Sequence, residues 1–379
     1  MSNIEIFEVT DRADLKRFIK VANKPYVNDE AYVIPLMIER IDALAPEKNP
    51  YFEHAEVQYF IAVRDGEDVG RISAQIDALA QEKWGPNMGH FGLFEAMDQE
   101  VANTLLTTAE NWLKARGMTT MQGPWSLSAN QEAGLLIEGF DTPPVVMMPH
   151  GRPEYAGWVE NFGLTKEKDL YAYAVDVSKV SDQTAKRFIA MGKRNKSLIM
   201  RRMNMKKFRS EIDIILDIFN EAWADNWGYV PMTEHEIEHM AESLKPIIKA
   251  DMALICEVDG VPVAFQIAIP DVNHYIADLK GKLLPFGWAK VIYRLFISKR
   301  VPRIRVPLMG VRNKYQGRPL GAAMAMTMID KTREEVKKRD CEFGEMGWIL
   351  EDNTGMRGIL DMLGTHAYKT YRVYEKTIG

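Results

Sequence analysis

The chain has 379 residues, with 48 Lys or Arg against 53 Asp or Glu, so its formal net charge is −5. Hydrophobic residues make up 46% and charged residues 27%, which excludes a disordered tail or a collagen-like fibre. No apolar run reaches the roughly 18 residues that a membrane-spanning helix needs, and the N-terminus has no apolar signal segment. We therefore expect a cytoplasmic protein of two or three domains without integral membrane association.

The predicted elements follow the same order in the two halves of the chain. Each half has a hairpin with an Asp-Gly turn, at Asp65-Gly66 and at Asp259-Gly260. Helical spacing of apolar residues then predicts helices over 99–116 and 320–339, each followed by a strand. Each half closes with a helix, a glycine and a strand. The repeat predicts two similar α/β domains, 1–178 and 179–379, with a linker near 176–182.

Two long stretches carry basic residues and no acid. Ten Lys or Arg lie between Lys186 and Arg209, and eleven lie between Leu279 and Ile329. Such blocks are typical of surfaces that meet a phosphorylated cofactor, an acidic carrier protein, a membrane surface or nucleic acid. A solvated basic helix face is the plain alternative. Because no aromatic platform accompanies the first stretch, sequence-specific RNA binding has little support, and we expect no DNA partner.

The segment from Arg303 to Asp330 is the most informative part of the sequence. An apolar strand over 304–311 runs into a loop rich in Gly and Arg, and that loop opens a helix. Helix N-terminal amides attract anions, and glycine lets an anion approach the backbone. Arg312, Lys314 and Arg318 add positive charge. The pattern predicts a phosphate-binding loop, with a simple tight turn as the alternative.

At this loop the sequence resembles the GNAT acyltransferase superfamily, whose signature Q/R-x-x-G-x-G/A follows a splayed strand. The match runs from Gln316 to Gly321, with Pro319 where the family usually has glycine. The resemblance implies two tandem GNAT-like domains, each a mixed, largely antiparallel central sheet flanked by helices. It also implies that acetyl-CoA or another acyl-CoA is bound by Met309, Gly310, Val311, Gln316, Gly317, Arg318, Leu320, Gly321, Ala322 and Asn353.

The first half lacks a matching loop. Its strand over 90–96 passes into the helix through Met97-Asp98-Gln99-Glu100, which has no glycine pair and no cation. Two acids at this place would repel a pyrophosphate. We therefore predict a coenzyme site only in the second half.

Acyl transfer to an amine needs a base for the amine, donors for the thioester carbonyl, and an acid for the departing thiolate. The resemblance implies a base on the strand after the cofactor helix, where Glu345 and Glu351 are the candidates. The family's usual tyrosine acid corresponds here to Leu360, so Tyr371 or Tyr374 is the substitute, unless the thiolate leaves unassisted. Ordinary structural roles for all four residues, and a helix-capping role for Asn353, are the alternatives.

The sequence His235-Glu-Ile-Glu-His239 matches the zinc-binding pattern H-E-x-x-H. No convincing third ligand follows, and Thr233 with Glu236 fits a capping box at a helix start. The two cysteines, Cys256 and Cys341, are isolated in the sequence. We therefore predict no metal site.

Residues 274–301 form an insertion before the cofactor strand. Apolar residues recur there at helical spacing, with Lys and Arg between them: Trp288, Val291, Ile292, Leu295 and Phe296. A basic amphipathic helix can lie on an anionic membrane, dock an acidic carrier protein or cover an acyl pocket. An ordinary helix packed on the sheet is the alternative.

Together with the resemblance, these features predict an acyl-CoA-dependent N-acyltransferase, with acetyl-CoA as the first donor to consider and an unknown amine as acceptor. Transfer from an acyl carrier protein or an aminoacyl-tRNA is one alternative, and it would add an acidic carrier protein as a partner. A catalytically inert binding or scaffold protein that keeps the fold is the other.

Overall fold

The computed structural model describes residues 3–177 and 183–379. Within these ranges thirteen strands form one mixed sheet, and two short strands form a separate pair, β6 with β7. The strands are β1 (Ile4–Glu8), β2 (Ala55–Arg64), β3 (Glu67–Asp77), β4 (Met88–Ala96), β5 (Thr120–Gly123), β6 (Trp125–Ser126), β7 (Glu132–Ala133), β8 (Leu135–Glu138), β9 (Thr165–Asp176), β10 (Leu198–Arg202), β11 (Ala253–Val258), β12 (Val261–Pro270), β13 (Arg303–Val311), β14 (Phe343–Leu350) and β15 (His366–Thr377).

Helices cover both faces of the sheet. They are α1 (Arg12–Val21), α2 (Met37–Leu44), α3 (Ala78–Trp84), α4 (Gln99–Lys114), α5 (Glu154–Asn161), α6 (Gln183–Arg194), α7 (Phe208–Trp223), α8 (Glu234–Leu244), α9 (Val272–Ile276), α10 (Gly287–Ile292), α11 (Pro319–Lys337) and α12 (Thr354–Met362). Short 3₁₀ turns and one π-helical turn, Tyr293–Ile297, join some of them.

Both predicted hairpins are present. In the turns, Asp65 and Gly66 have φ of 53° and 80°, and Asp259 and Gly260 have φ of 52° and 79°. Two consecutive positive φ angles match the twist of the flanking strands, which is why Asp-Gly is favoured here. The predicted helices over 99–116 and 320–339 are α4 and α11.

The core of the first half lies under α4. The Asp98 side chain accepts the backbone N–H of Val101 at the helix start, and Leu105, Ala109 and Leu113 on one face are fully buried against the sheet. In the second half, α6, α11 and α12 bury a corresponding cluster, while α7 and α8 pack on the opposite face around Phe265. The sheet is therefore covered on both sides where the two halves meet.

The two halves exchange their last strands. The sheet order is β1-β2-β3-β4-β5-β15-β9-β14-β13-β12-β11-β10, with β8 also paired to β15. Thus β9 of the first half lies between β15 and β14 of the second, and β15 lies between β5 and β9 of the first. This confirms the α/β class with a mixed sheet flanked by helices. The predicted boundary at residue 178 lies outside the described residues and stays a prediction.

Because both sheet neighbours of β9 belong to the second half, residues 1–177 expressed alone should not form a stable folded monomer. We expect aggregation or a shifted oligomeric state in size-exclusion chromatography and no cooperative thermal transition in circular dichroism. Co-expression with residues 178–379 should restore a one-to-one complex. A monomeric, cooperatively melting first half would contradict the exchange.

Candidate active site

The strands β13 and β14 part in the middle of the second half. They pair in parallel only from Arg303 with Phe343 to Val306 with Met346. Beyond that point β13 stays paired with β12, and β14 stays paired with β9. Pro307, which has no backbone N–H, is the first residue after the last shared pair. The backbone of β13 beyond Pro307 therefore faces a gap on the β14 side.

Met309, Gly310 and Val311 form the end of β13 that pairs with β12 but not with β14. The carbonyl of Met309 accepts the indole N–H of Trp223 at 3.2 Å. A Cβ at Gly310 would lie 2.7 Å from the ring of Phe265 on the neighbouring strand, so only glycine fits there. The predicted coenzyme-binding strand thus lies at the open side of the gap.

The predicted phosphate loop is folded tightly between β13 and α11. The side-chain amide of Gln316 donates to the Val311 carbonyl at 2.8 Å and to Asn313 Oδ1 at 3.0 Å. Gly317 has a φ of 66°, in the left-handed region. A Cβ at Gly321 would lie 2.2 Å from the Tyr315 carbonyl oxygen. Both glycines are therefore needed by the shape of the loop itself.

Three backbone amides at the start of α11 have no hydrogen-bond acceptor within the described residues. They belong to Gly317, Leu320 and Gly321, while the amide of Ala322 already donates to the Arg318 carbonyl. Free amides at a helix N-terminus are the donor set that phosphate oxygens take. The residues present fit a phosphate group.

The basic side chains beside the loop differ in whether they are free to bind an anion. Lys314 and Arg318 are exposed and form no ion pair in the described part of the chain. Arg312, by contrast, is held by Asp217 and Glu221 of α7, so its charge is already balanced. Two cations therefore remain to meet an anion at this loop.

The equivalent gap in the first half is closed. There β4 and β5 also pair only briefly, from Met88 to His90. The hydroxyl of Tyr155 then fills the gap: it accepts the Ala96 N–H at 3.1 Å and lies 3.0 Å from Glu95 Oε2. At the helix start, Asp98 holds the place an anion would take and pairs with Arg64. Only the second half therefore offers an open gap.

An open, mostly apolar cavity lies beside β13 and β14. Its apolar lining comes mainly from α7, α8 and the two parted strands: Phe219, Trp223, Met240, Leu244, Leu308 and Trp348. Four residues of the first half also line it: Ala129, Asn130, Gln131 and Met147. A concave, mostly apolar space with few polar groups is the usual form of a small-molecule site.

Arg305 is the charged residue of this lining. Its guanidinium donates to the carbonyls of Val146 at 2.8 Å, Met147 at 3.1 Å and Gly347 at 3.0 Å. Its Nε lies 3.6 Å from Oε1 of Glu345. Arg305 thus joins the loop of the first half to the strand that carries the candidate base.

Glu345 is fully buried and contacts Arg305 without lining the cavity itself. Its Oε2 accepts the hydroxyl of Tyr368, while its Oε1 has no hydrogen-bond partner within the described ranges. Burial raises the pKa of Glu345 above its ordinary value, although Arg305 and Tyr368 oppose the shift. Nearby, burial lowers the pKa of Lys369 to about 8. The carboxylate therefore keeps an unused acceptor beside the cavity.

The other predicted catalytic residues lie elsewhere. Glu351 accepts Lys166 Nζ at 2.7 Å and the backbone N–H of Asp169 at 3.1 Å. Tyr371 is buried in an apolar cluster, and burial raises the pKa of its hydroxyl. Neither lines the cavity. Asn353 accepts the Met356 N–H at 3.0 Å, which caps α12. Their catalytic and binding roles stay predictions.

The sequence analysis selected none of the residues that line the cavity, which include Trp223, Arg305 and Trp348. Arg305 had a signal: it stands between Ile304 and Val306 in an apolar strand, where a charge is buried only when it has partners. The two tryptophans had no comparable signal, because only the packing of α7 and β14 brings them together.

The H-E-x-x-H segment begins α8 as a capping box. Thr233 Oγ accepts the Glu236 N–H at 3.2 Å, and Glu236 Oε2 accepts the Thr233 N–H at 2.8 Å. Across residues 3–177 and 183–379, no group of three or more His, Cys, Asp or Glu side chains is placed to hold a metal ion. None of the helices in the same ranges has the length and apolar character needed to cross a bilayer.

The fold is that of the GNAT superfamily, with two such domains in tandem. A tandem GNAT protein from the clavulanic acid biosynthesis pathway matches with a TM-score of 0.60 and 10% identity, covering 100% of this chain and 99% of its own. A GCN5-related N-acetyltransferase from Sphaerobacter thermophilus matches with a TM-score of 0.54 and 12% identity, covering 98% and 96%. The predicted resemblance is therefore confirmed at the level of fold.

No protein-family profile matches the chain. Two bacterial proteins match along almost its whole length. Protein YghO of Escherichia coli (strain K12) is 44% identical over 369 residues, 97% of this chain and 94% of its own. The bacterial ceramide synthase of Caulobacter vibrioides (strain NA1000 / CB15N) is 43% identical over 384 residues, 100% of this chain and 98% of its own. The chain belongs to the family of these two proteins.

The closed gap of the first half makes a testable contribution to stability. Burial raises the pKa of Glu95 to about 7, from an ordinary value of 4.5. The folded state therefore holds a proton that the unfolded state has lost between these pH values, so stability falls as pH rises through this window. From pH 5 to pH 8 we expect a loss of about 2–3 kcal/mol from this group.

Urea unfolding at pH 5 and pH 8 measures this loss, and Glu95→Gln should reduce the difference between the two pH values. Glu5→Gln, at an exposed position of β1, is the control and should leave the difference unchanged. An equal pH dependence in the wild type and in Glu95→Gln would show that Glu95 is not the titrating group.

Proposed function

We propose that the protein is an N-acyltransferase that joins a fatty acyl group, carried as a thioester, to the amine of a long-chain base. The observation that carries the proposal is the open gap between β13 and β14. Residues of both parted strands, Pro307, Leu308 and Trp348, line an apolar cavity there, and the helix that follows β13 begins with free amides. The family supports the substrate class, because a ceramide is the amide of a fatty acid and a long-chain base, and the curated relative is named a ceramide synthase.

The chain's own groups account for donor binding. The amides of Gly317, Leu320 and Gly321, with Lys314 and Arg318, would hold the phosphates of coenzyme A. The unpaired edge of β13 at Met309–Val311 would hydrogen-bond the amide groups of the donor's arm, as an added strand does. The coenzyme supplies an activated acyl carbonyl and a thiolate leaving group. Binding along this edge directs the carbonyl toward the parted strands.

The cavity favours a long acyl group over acetyl. Its walls are apolar on α7, α8 and β14, and such walls suit a hydrocarbon chain. A hydrocarbon chain removes that surface from water, with a gain of roughly 0.8 kcal/mol per buried CH₂. Acetyl-CoA, the first donor suggested by the sequence, therefore becomes the weaker candidate.

Glu345 is the better placed of the two predicted bases. Its Oε1 has no hydrogen bond and lies 3.6 Å from Nε of Arg305, which lines the cavity, whereas the carboxylate of Glu351 is bound by Lys166. An amine must lose a proton to attack and to form the amide, and a carboxylate with a raised pKa is suited to accept one near neutral pH. Arg305 is the positioning residue, since it holds Glu345 and the first-half loop together.

Glu345→Gln should lower kcat by about a hundredfold or more and remove the rise of activity with pH, because a general base contributes roughly 10²–10⁴. Glu351→Gln is the matched control and should keep the pH profile. Amide formation from palmitoyl-CoA and sphinganine, followed by mass spectrometry, measures both. A normal profile in Glu345→Gln would assign the base elsewhere.

Gly321→Ala should weaken coenzyme binding by at least about tenfold, because the added Cβ displaces the Tyr315 carbonyl from the loop. Gly157→Ala, where a Cβ meets nothing within 4 Å, is the control. Isothermal titration with palmitoyl-CoA, acetyl-CoA and free coenzyme A gives the affinities, and we expect palmitoyl-CoA to bind most tightly.

Absence of binding to all three compounds would contradict the proposed donor. A carrier-protein donor would then be the next candidate, favoured by Pro319, which removes one amide from the phosphate loop, and by the free cations Lys314 and Arg318. Absence of transfer from either donor would leave the scaffold alternative.

A further inference from the structure

The insertion between β12 and β13 turns apolar side chains toward solvent. Seven large hydrophobic residues between 284 and 297 are 44–79% exposed. They are Leu284, Phe286, Trp288, Ile292, Tyr293, Phe296 and Ile297. The described chain has fourteen exposed residues of this kind, so half of them lie within fourteen positions. A soluble protein rarely exposes such a group of side chains without a binding role.

These side chains are exposed because of the way α10 and the π-helical turn are oriented on the protein. Val291 packs against the cluster of Val33, Ile276 and Leu279, and Leu295 is buried. Trp288, Ile292 and Phe296 recur every fourth residue and are exposed. The arrangement is the reverse of an ordinary surface helix, whose apolar stripe faces the core. The alternative of an ordinary packed helix therefore applies only to the narrow inner face that carries Val291 and Leu295.

The insertion is held by ion pairs within it and by a hydrogen bond from the segment that follows α8. Asp278 accepts Arg294 at 2.6 Å and Lys290 at 3.3 Å, and these cations lower the pKa of Asp278 to about 2. Lys249, shortly after α8, donates to the Leu295 carbonyl at 3.3 Å. The exposed side chains are thus presented by a fixed element, next to the helix that lines the cavity.

Free cations flank the exposed side chains. Lys280, Lys282 and Lys299 are exposed and have no ion pair in the part of the chain that the structure describes. Arg300 is shared between Asp340 at 3.4 Å and Glu342 at 3.9 Å. An apolar centre with lysines beside it complements a surface in which a hydrocarbon layer is covered by negatively charged groups.

We propose that this docking face, residues 284–297 with Lys280, Lys282 and Lys299, binds the surface of an anionic phospholipid bilayer. The apolar side chains enter the boundary between headgroups and acyl chains, and the lysines meet lipid phosphates. An acidic protein partner would need mainly the cations, whereas the apolar side chains dominate here. The proposal goes beyond the proposed function and does not depend on it.

Co-sedimentation of the full chain with vesicles tests the docking face without any substrate. Binding should be strong to phosphatidylcholine with phosphatidylglycerol at seven to three and weak to phosphatidylcholine alone. A triple variant, Trp288→Asp with Ile292→Asp and Phe296→Asp, should reduce the partition coefficient by at least about a hundredfold. Val261→Asp, at an exposed apolar position of the β11–β12 hairpin, is the matched control and should bind as the wild type.

A second variant separates the two contributions. Lys280→Gln with Lys282→Gln and Lys299→Gln should weaken binding to the anionic vesicles by roughly fivefold per lysine and abolish its salt dependence. Because all substituted side chains are exposed, thermal melts of both variants should match that of the wild type.

Failure of the wild type to bind either vesicle would overturn the proposal, as would unchanged binding of the triple variant. Binding of purified acyl carrier protein through these residues, without vesicle binding, would overturn it in favour of a protein partner. Acyl transfer between soluble short-chain substrates, measured without vesicles, should be unchanged in the triple variant, so loss of docking and loss of activity are read separately.

Discussion

The candidate site depends on the parting of β13 from β14, which is possible because each strand has another partner. On one side β12 pairs with β13 to its end, and on the other β9 of the first half pairs with β14. Backbone groups would otherwise favour closing the gap, since unpaired N–H and C=O groups are costly when buried. The exchange of the last strands therefore holds the gap open, and residues 129–131 and Met147 of the first half lie in the cavity wall.

The two halves share one topology, but the gap between their parted strands is closed in the first half and open in the second. In the first half a tyrosine hydroxyl satisfies the strand edge at Ala96, and a carboxylate caps the following helix. The corresponding residue in α12 of the second half is Met356, 201 positions after Tyr155. It has no hydroxyl and packs against the core. In the second half no tyrosine hydroxyl fills the corresponding gap, and the amides of Gly317, Leu320 and Gly321 at the helix start have no acceptor within the described residues. A few side chains, rather than the fold, distinguish the closed gap from the open one.

The sequence predicts the features that depend on neighbouring residues, and it does not predict those that depend on residues far apart in the chain. The Asp-Gly hairpins, α4, α11 and the loop from Gln316 to Gly321 are specified by neighbouring residues, and all are present. The strand exchange is decided by contacts between residues nearly 200 positions apart, which no local pattern encodes. The same holds for the site: Glu345 and Glu351 look alike in sequence, and only the register with Arg305 and the position of Lys166 separate them.

The shared lining of the cavity has a consequence for how this family can diversify. Asn130 and Met147 stand in its wall although their own half has a closed gap and no coenzyme loop. On the proposed function, substitutions at these two positions would change the shape of the pocket without touching the loop from Gln316 to Gly321. Substrate preference would then be adjusted from the half that lacks the phosphate loop. Because the last strands are exchanged, removing either half would also leave a strand of the other without its sheet neighbours.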